Sequence, residues 1–270
     1  MQTMIDPALE PKAGYRLQRL EVYNWGTFHN KVWRIEPGGG TALLTGANGS
    51  GKSTLVDALL TLLVPNRKRR YNQASGSERR DERNEKTYVR GAYGRTKNEA
   101  TNRAEEQYLR KVDSYSTLLA TFCNQARQQY LTLAQVFYWR DASELKRLYI
   151  VAPRELSITE HVRITHSPEE LRRRLKALDA EIFDDFNRYS QRFVKEFQLR
   201  SQNALELFNQ TVSIKEIGGL NDFVRNHMIE RNPVENEISE LRENYQNLTR
   251  AHAAIVKAEA QLAALTPMLA

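Results

Sequence analysis

The 270-residue sequence predicts a mixed α/β fold with an antiparallel β-lobe, followed by helices. Three observations predict this fold class. First, the run TALLT is short and apolar, as in a buried parallel strand, and GKSTLVDALLTLLV shortly after it has the length and leucine content of a buried helix. Second, three apolar and aromatic runs in residues 114–152 are separated by polar breaks, which predicts an antiparallel meander. Third, from residue 167 onward helix signals dominate.

A glycine-rich loop, GANGSGKST, joins the predicted strand to the predicted helix. Gly46, Gly51, Lys52 and Ser53 fit the phosphate-loop pattern G-x-x-x-x-G-K-[ST]. In such a loop the amide N–H groups turn inward around an anion, the lysine reaches the outer phosphates and the serine hydroxyl approaches magnesium. The pattern therefore predicts a nucleotide site. The alternative is a glycine-rich turn in which Lys52 is a solvated residue at the start of a helix.

Positive charge is concentrated directly after this helix. The chain has a net charge of +7, and residues 66–100 contain eleven lysine or arginine residues against five aspartate or glutamate residues, a net charge of +6. With its glycines and asparagines, this segment is predicted to be a long basic loop beside the nucleotide site. It is either a surface for phosphate backbones or a solvated loop. The candidate DNA-binding residues are Arg67, Lys68, Arg69 and Arg70.

The sequence contains no signal for export or membrane insertion. No apolar run approaches the roughly 20 residues that span a bilayer. The first residues contain acids and prolines, which predicts a loose leader over residues 1–14. Cys123 is the only cysteine, as is common in a reduced compartment. We expect a cytoplasmic chain without a membrane partner.

Gln135 lies inside the second run of the predicted meander, where a buried amide needs a partner. ATPases of the ABC class bring a glutamine from this lobe to the magnesium ion and the attacking water. Gln135 is therefore a candidate catalytic residue and magnesium contact. A paired strand glutamine is the alternative.

Two helix starts follow the meander. Ser167 is a good N-cap and Pro168 suits the first helical position, and Asn232 with Pro233 repeats this signal. Apolar residues then recur at steps of four and three, which predicts one strand of a coiled coil whose partner helix is missing from this sequence. The repeat positions are Val234, Ile238, Leu241, Tyr245, Leu248, His252, Ile255, Glu259 and Leu262. Two of them, His252 and Glu259, are polar and weaken the seam.

Hydrolysis needs parts that this sequence does not contain. An ATPase of this class uses an apolar strand ending in Asp-Glu and a serine-glycine signature. The stretch DAEIFDDF comes closest to the acidic strand, but it lies in a charged context that predicts a helix. We therefore expect negligible ATP turnover from this chain alone, because it contains no candidate general base.

This order of features resembles the N-terminal half-head of an SMC-like ATPase. YRLQRLEVYNWGTFHNKVWRI and TGANGSGKSTLVDALLTLLVPN look like the opening of the MukB and MksB branch. NRKRRYNQASG and YVRGAYG look most like the JetC family, the SMC-like subunits of Wadjet plasmid-defence systems. ELFNQTVSIKEIGGLNDFVRNHMIE is similar to the neck region of the same branch. The expected fold is the N-terminal lobe of a P-loop ATPase head of the ABC and SMC type.

The resemblance implies roles for individual residues. It implies that residues 46–54 hold the triphosphate of ATP and that Ser53 and Gln135 approach Mg²⁺. It also places Asn24 or Trp25 near the adenine, although an aromatic residue in an apolar strand is often part of the core instead. The residues implied to contact ATP are Asn24, Trp25, Gly46, Ala47, Asn48, Gly49, Ser50, Gly51, Lys52, Ser53 and Thr54.

The resemblance implies partners as well. These are the C-terminal half-head of the same protein, a second head in a homodimer, a kleisin with accessory subunits, double-stranded DNA and, in Wadjet, a topoisomerase-like nuclease subunit. ATP hydrolysis would then be coupled to DNA translocation, loop extrusion or chromosome condensation at the nucleoid, in defence against plasmids. The alternative is a DNA-repair or chromosome-organisation scaffold that ATP gates.

These predictions divide the chain into six segments. They are a leader (1–14), a P-loop core (15–65), a basic loop (66–100), the antiparallel β-lobe with Gln135 (101–155), a helical neck region (156–231) and the start of a coiled-coil arm (232–270).

Overall fold

The computed structural model describes residues 13–66, 69, 84–98, 103–141, 143–199, 205, 208–209, 234–265 and 267. The chain divides into two compact units, residues 1–217 and 218–270. Among the helices of these described ranges, none is long and apolar enough to cross a membrane.

An antiparallel sheet forms the centre of the first unit. The strands of the described residues are β1 (Arg16–Tyr23), β2 (Val32–Ile35), β3 (Ala92–Asn98), β4 (Arg103–Tyr108), β5 (Ser116–Asn124), β6 (Gln129–Trp139), β7 (Leu145–Ala152) and β8 (Glu181–Phe183). Six of them form one sheet in the order β2-β1-β5-β6-β7-β8, with every neighbouring pair antiparallel. The remaining two, β3 and β4, form a separate hairpin.

Apolar side chains cover both faces of the six-stranded sheet, because successive strand residues point to opposite faces. On one face, Leu118 of β5 shares a core with Leu60 of helix α1 (Lys52–Leu63) and Phe193 of helix α4 (Phe186–Glu196). On the other face, Leu119 shares a core with Leu171 of helix α3 (Pro168–Lys176). The α/β fold class with an antiparallel sheet and helices is confirmed.

The three apolar runs of residues 114–152 form β5, β6 and β7, as the pattern predicts. However, β5 also pairs with β1, which precedes the phosphate loop in the chain. The predicted P-loop core (15–65) and the predicted β-lobe (101–155) therefore share one sheet in this structure.

The prediction of a buried parallel strand before the glycine-rich loop is wrong. Residues 41–47 form neither strand nor helix, and the Leu43 side chain is 86% exposed. A parallel strand needs a neighbour for its backbone N–H and C=O groups, and every strand pair in the described sheet is antiparallel. TALLT thus has the composition of a strand but no strand to pair with among the described residues.

Part of the predicted basic loop has regular structure. Helix α2 (Glu85–Arg90) begins with a capping box: the Thr87 N–H donates to the Asn84 side chain at 3.0 Å, and the Asn84 N–H donates to the Thr87 hydroxyl at 3.0 Å. Gly91 ends the helix with a φ of 66°, a conformation that suits glycine, and β3 follows.

The helix start predicted at Ser167 is confirmed. The Ser167 hydroxyl accepts a hydrogen bond from the Glu170 N–H at 3.2 Å, and α3 begins at Pro168. The stretch DAEIFDDF differs from its predicted helical context. It supplies the short strand β8 and then Asp185, whose carboxylate caps α4 by accepting from the Asn187 N–H at 2.8 Å.

In the second unit, the structure describes a long helix, α5 (Val234–Leu265), over the region where heptad spacing predicts one. Its apolar side chains at the predicted seam are exposed, with Leu241 at 69% and Leu262 at 73%. The coiled coil therefore stays a prediction. Asn232, Pro233 and, apart from residues 208–209, the neck-like segment 206–230 lie outside the described residues.

Candidate nucleotide-binding site

The glycine-rich loop runs directly into α1. Gly51 is the N-cap residue, with a φ of 92°, and the Leu55 N–H donates to the Gly51 carbonyl at 3.0 Å. The N–H groups of the first turn have no acceptor within the helix, and no acidic residue lies in that turn. The positive end of the helix dipole therefore faces the loop without a compensating carboxylate, an arrangement that favours binding of phosphate.

Lys52 bends back over the loop. Its Nζ donates to the carbonyl of Gly46 at 2.6 Å and to that of Ala47 at 2.8 Å. These bonds hold the ammonium group of Lys52 against the phosphate loop. Ser53 follows in the first turn, and its hydroxyl makes no hydrogen bond to a described residue, so it is free to contact a metal ion.

The donor set fits magnesium only in part. The described residues contain no group of three or more His, Cys, Asp or Glu side chains that could hold a metal ion. Ser53 is thus the residue that would contact Mg²⁺, together with phosphate oxygens of the nucleotide, which is the usual division of ligands at this kind of loop.

The turn after β1 packs against the loop and the first turn of α1. A Cβ on Gly51 would lie 2.6 Å from Phe28 Cζ, and a Cβ on Gly26 would lie 2.7 Å from Thr54 Cγ2. Both approaches exclude side chains at the two glycines. The contact of Phe28 is not predictable from the sequence, because nothing in the stretch NWGTFHN indicates which aromatic ring contacts the loop.

A buried arginine, Arg110, forms hydrogen bonds with the turn after β1 (residues 24–30), which supports the phosphate loop. Its guanidinium donates to the carbonyls of Gly26 (2.7 Å), Phe28 (3.1 Å), Tyr88 (2.8 Å) and Val89 (2.7 Å). Desolvation by burial lowers its pKa to about 10, so it remains charged at neutral pH. Arg110 therefore joins the supporting turn to α2 mainly through backbone carbonyls, and its guanidinium also lies 3.5 Å from His29 Nδ1.

The structure does not place Asn24 or Trp25 where a base could reach them. Trp25 is fully buried and stacks on Tyr88 with ring centroids 4.7 Å apart. The Asn24 amide donates to the Tyr115 carbonyl at 3.1 Å and accepts from the Asn30 N–H at 2.8 Å. Both residues are therefore part of the core, which is the alternative given above for Trp25.

Gln135 lies at the opposite end of α1 from the phosphate loop. Its Nε2 donates to the Thr61 carbonyl at 2.8 Å, near the C-terminus of the helix. Eight residues separate Thr61 from Ser53, which corresponds to about 12 Å along a helix. In this structure Gln135 therefore binds carbonyls at the C-terminal end of α1, away from Ser53, and its assignment to magnesium stays a prediction.

This position predicts that Gln135→Leu leaves Mg-ATP affinity within about twofold of wild type while it lowers the free energy of unfolding by about 1 kcal/mol, the usual contribution of one hydrogen bond. Calorimetric titration and chemical denaturation measure the two quantities. Ser53→Ala is the matched control, because it should weaken the magnesium dependence of binding instead. A large loss of Mg-ATP affinity in Gln135→Leu would restore the original assignment.

The Arg69 side chain also binds the C-terminal end of α1. Its side chain is 1% exposed, it pairs with Glu85 at 2.7 Å, and its guanidinium donates to the carbonyls of Thr61 (3.0 Å) and Val64 (2.7 Å). Glu85 also pairs with Arg147. The Arg69 guanidinium is thus engaged by Glu85 and the end of α1 in this structure, and its contact with DNA stays a prediction. Arg67, Lys68 and Arg70 lie outside the described residues.

Comparison with known proteins identifies the same loop. The family model for the P-loop containing region of AAA domains matches residues 17–78. No curated protein matches the chain in sequence. A solved structure concerned with ATP-driven dimerization and DNA-stimulated activation of SMC ATPases aligns with 83% of this chain and 96% of its own, at 15% identity and a TM-score of 0.34. Loop geometry and family model agree on one conclusion: residues 17–78 carry a P-loop nucleotide-binding region.

Proposed function

We propose that this chain is the ATP-binding half of an SMC-like head whose ATP cycle acts on DNA, in a complex of the Wadjet type that defends against plasmids. The observation that carries the proposal is the phosphate loop at the start of α1, with Lys52 held over it. The basic segment that follows α1 in sequence and the heptad spacing of apolar residues along α5 support the SMC-like assignment.

Within such a head, the residues of this chain bind and orient the nucleotide. The loop amides and the first turn of α1 hold the β- and γ-phosphates, and Lys52 neutralises part of their charge. The Ser53 hydroxyl holds magnesium, which when bound neutralises further charge on the phosphates. The Phe28 ring packs against Gly51 of the loop, and Arg110 holds the Phe28 carbonyl by a hydrogen bond.

The C-terminal half-head is the first partner that this proposal requires. It supplies the acidic strand with the general base, and we assign the exposed residues 41–45 as the segment that pairs with one of its strands. A second head then completes the composite ATP site with its signature, and a kleisin bridges the two heads. Co-purification with a kleisin and a topoisomerase-like nuclease subunit would identify the Wadjet type. A nuclease bound at the base of the coiled coil would instead identify the repair scaffold.

Contact with DNA is tested at the basic segment. We expect replacement of Arg67, Lys68 and Arg70 by glutamine, with Arg69 retained, to weaken DNA binding by the assembled complex equally for all sequences, because phosphate contacts carry no base information. The slope of log affinity against log salt should fall by about 2 to 3, since each neutralised phosphate contributes about 0.9. Fluorescence anisotropy at several salt concentrations measures both effects.

The matched control removes the same charge elsewhere. Arg173, Lys176 and Arg188 are exposed on α3 and α4, and their replacement by glutamine should leave the salt slope nearly unchanged. An unaltered slope in the Arg67, Lys68 and Arg70 variant would show that this segment does not face DNA. ATP binding should be the same in both triple variants, because Lys52 and the loop amides are intact.

A further inference from the structure

A cavity lies away from the phosphate loop. It has a volume of about 430 Å³ and is formed by α2, β4 and the end of β6 with the turn that follows. Lys86, Arg90, Tyr108 and Trp139 are among its lining residues, and no residue of the loop 46–54 lines it. Sites for small molecules have volumes of about 300–1,000 Å³. We call this cavity the α2 pocket.

Arg90 is the unusual residue of the α2 pocket. Its guanidinium carbon lies 3.4 Å from the centre of the Tyr108 ring, so a cation–π contact fixes the plane of the group. Its side chain nonetheless forms no ion pair or hydrogen bond with any residue that the structure describes, and its Nε is shielded from solvent without an acceptor. A partly buried guanidinium without acceptors is costly, and its fixed fork suits a bidentate oxyanion.

The remaining lining residues favour an anion with a ring attached. Lys86 Nζ donates to the Ser143 carbonyl at 3.2 Å, which holds a second cation at the rim. The lining carboxylate, Glu106, accepts a hydrogen bond from the Tyr108 hydroxyl. Trp139 adds an aromatic surface, and its Nε1 also has no acceptor among the described residues. Lys86 and Arg90 outnumber Glu106, so the lining carries a net charge of +1 and favours an anion. The planar fork of Arg90 matches two oxygens of a phosphate group.

We propose that the α2 pocket binds a small phosphate monoester with a planar ring, and a nucleoside monophosphate is the compound class that its size and lining fit. Arg90 and Lys86 take the phosphate, and Trp139 contacts the ring. This site is separate from the nucleotide site at the phosphate loop, and it holds a ligand whether or not the chain acts on DNA.

The test uses the full chain with Lys52→Ala, which weakens binding at the phosphate loop, and adenosine 5′-monophosphate as the probe. Calorimetric titration should still detect binding in this background. Arg90→Gln in the same background should weaken it at least about tenfold, the effect of losing a charged hydrogen-bonded pair. Lys146→Ala is the matched control, because Lys146 pairs with Glu144 outside the pocket and its loss should leave the affinity unchanged.

A second variant keeps the test decisive if Arg90→Gln does not fold. Lys86 is exposed, so Lys86→Ala should fold normally and should weaken the probe several-fold. Inorganic phosphate alone should bind more weakly than the monophosphate, because it lacks the ring. Absence of binding in Lys52→Ala, or equal affinity in the Lys86 variant and the Lys146 control, would overturn the proposal. Binding of short duplex DNA that depends on Lys86 and Arg90, without binding of the monophosphate, would overturn it too.

Discussion

Replacement of Lys52 by alanine should lower the affinity of the chain for Mg-ATP on the order of 10- to 100-fold, because each charge-assisted hydrogen bond to a phosphate contributes about 1.5–3 kcal/mol. The Lys52 ammonium already lies within 2.8 Å of two loop carbonyls, so it needs little rearrangement to reach a bound phosphate. Without it, the loop amides and the helix dipole hold the triphosphate with no full counter-charge. Calorimetric titration measures the loss.

Lys111→Ala is the control for this prediction. Lys111 is exposed and distant from the loop in sequence, so its removal changes the net charge by the same amount without touching the site. The free energy of unfolding should be nearly the same in both variants, since Lys52 is not buried. Equal Mg-ATP affinity in wild type and Lys52→Ala would refute the role of this lysine and, with it, the proposed nucleotide site.

Arg110→Met should lower the free energy of unfolding by about 3 to 5 kcal/mol, because it leaves the carbonyls of Gly26, Phe28 and Val89 without the donor that they share. The Tyr88 carbonyl keeps two backbone N–H donors. Methionine fills much of the volume, so the loss comes mainly from unsatisfied acceptors and less from a cavity. Arg110→Lys should recover part of the stability, because an ammonium group has three donors where the guanidinium has five. Chemical denaturation followed by tryptophan fluorescence measures each variant.

The control for Arg110 is Arg140→Met, since Arg140 is 69% exposed in its side chain and lies in a turn. Its substitution should change the unfolding free energy by no more than about 0.5 kcal/mol. Arg110→Met should also weaken Mg-ATP binding, because Gly26 and Phe28 support the loop through the contacts that Arg110 fixes. If Arg110→Met proved as stable as Arg140→Met, the buried arginine would have no structural role.

Local patterns predicted the parts of this fold that depend on neighbouring residues. The phosphate loop, helix α1, the meander and the Ser167 cap each follow from spacing or from turn and cap chemistry within about ten residues. The roles of Gln135 and Arg110 depend on partners 74 and 84 positions away in sequence. Such contacts are set by how the sheet and helices pack, and no local pattern records them.

At two further residues, the observed position differs from the predicted one because the side chain is buried. Arg69 belongs to a basic run, and composition alone predicts that such a run is solvated, yet this residue turns inward to the carbonyls at the end of α1 and to Glu85. Trp25 precedes the loop at a distance that permits base stacking, yet its ring is covered by Tyr88 and Phe137. In both cases the residue type predicts a preference, and the packing decides whether a ligand can reach the side chain.

The exposed segment before the loop has a thermodynamic consequence. Helix α1 fixes the C-terminal end of the loop. At the N-terminal end, residues 41–47 pair with no strand among the residues that the structure describes. Any strand that pairs with residues 41–45 would order the loop from that side, so part of the entropic cost of holding phosphate would already have been met. By linkage, a nucleotide that binds the paired form more tightly must strengthen the pairing by the same factor. The concentration of the partner strand would then set the apparent affinity for ATP, and ATP would in turn act as a cofactor of assembly.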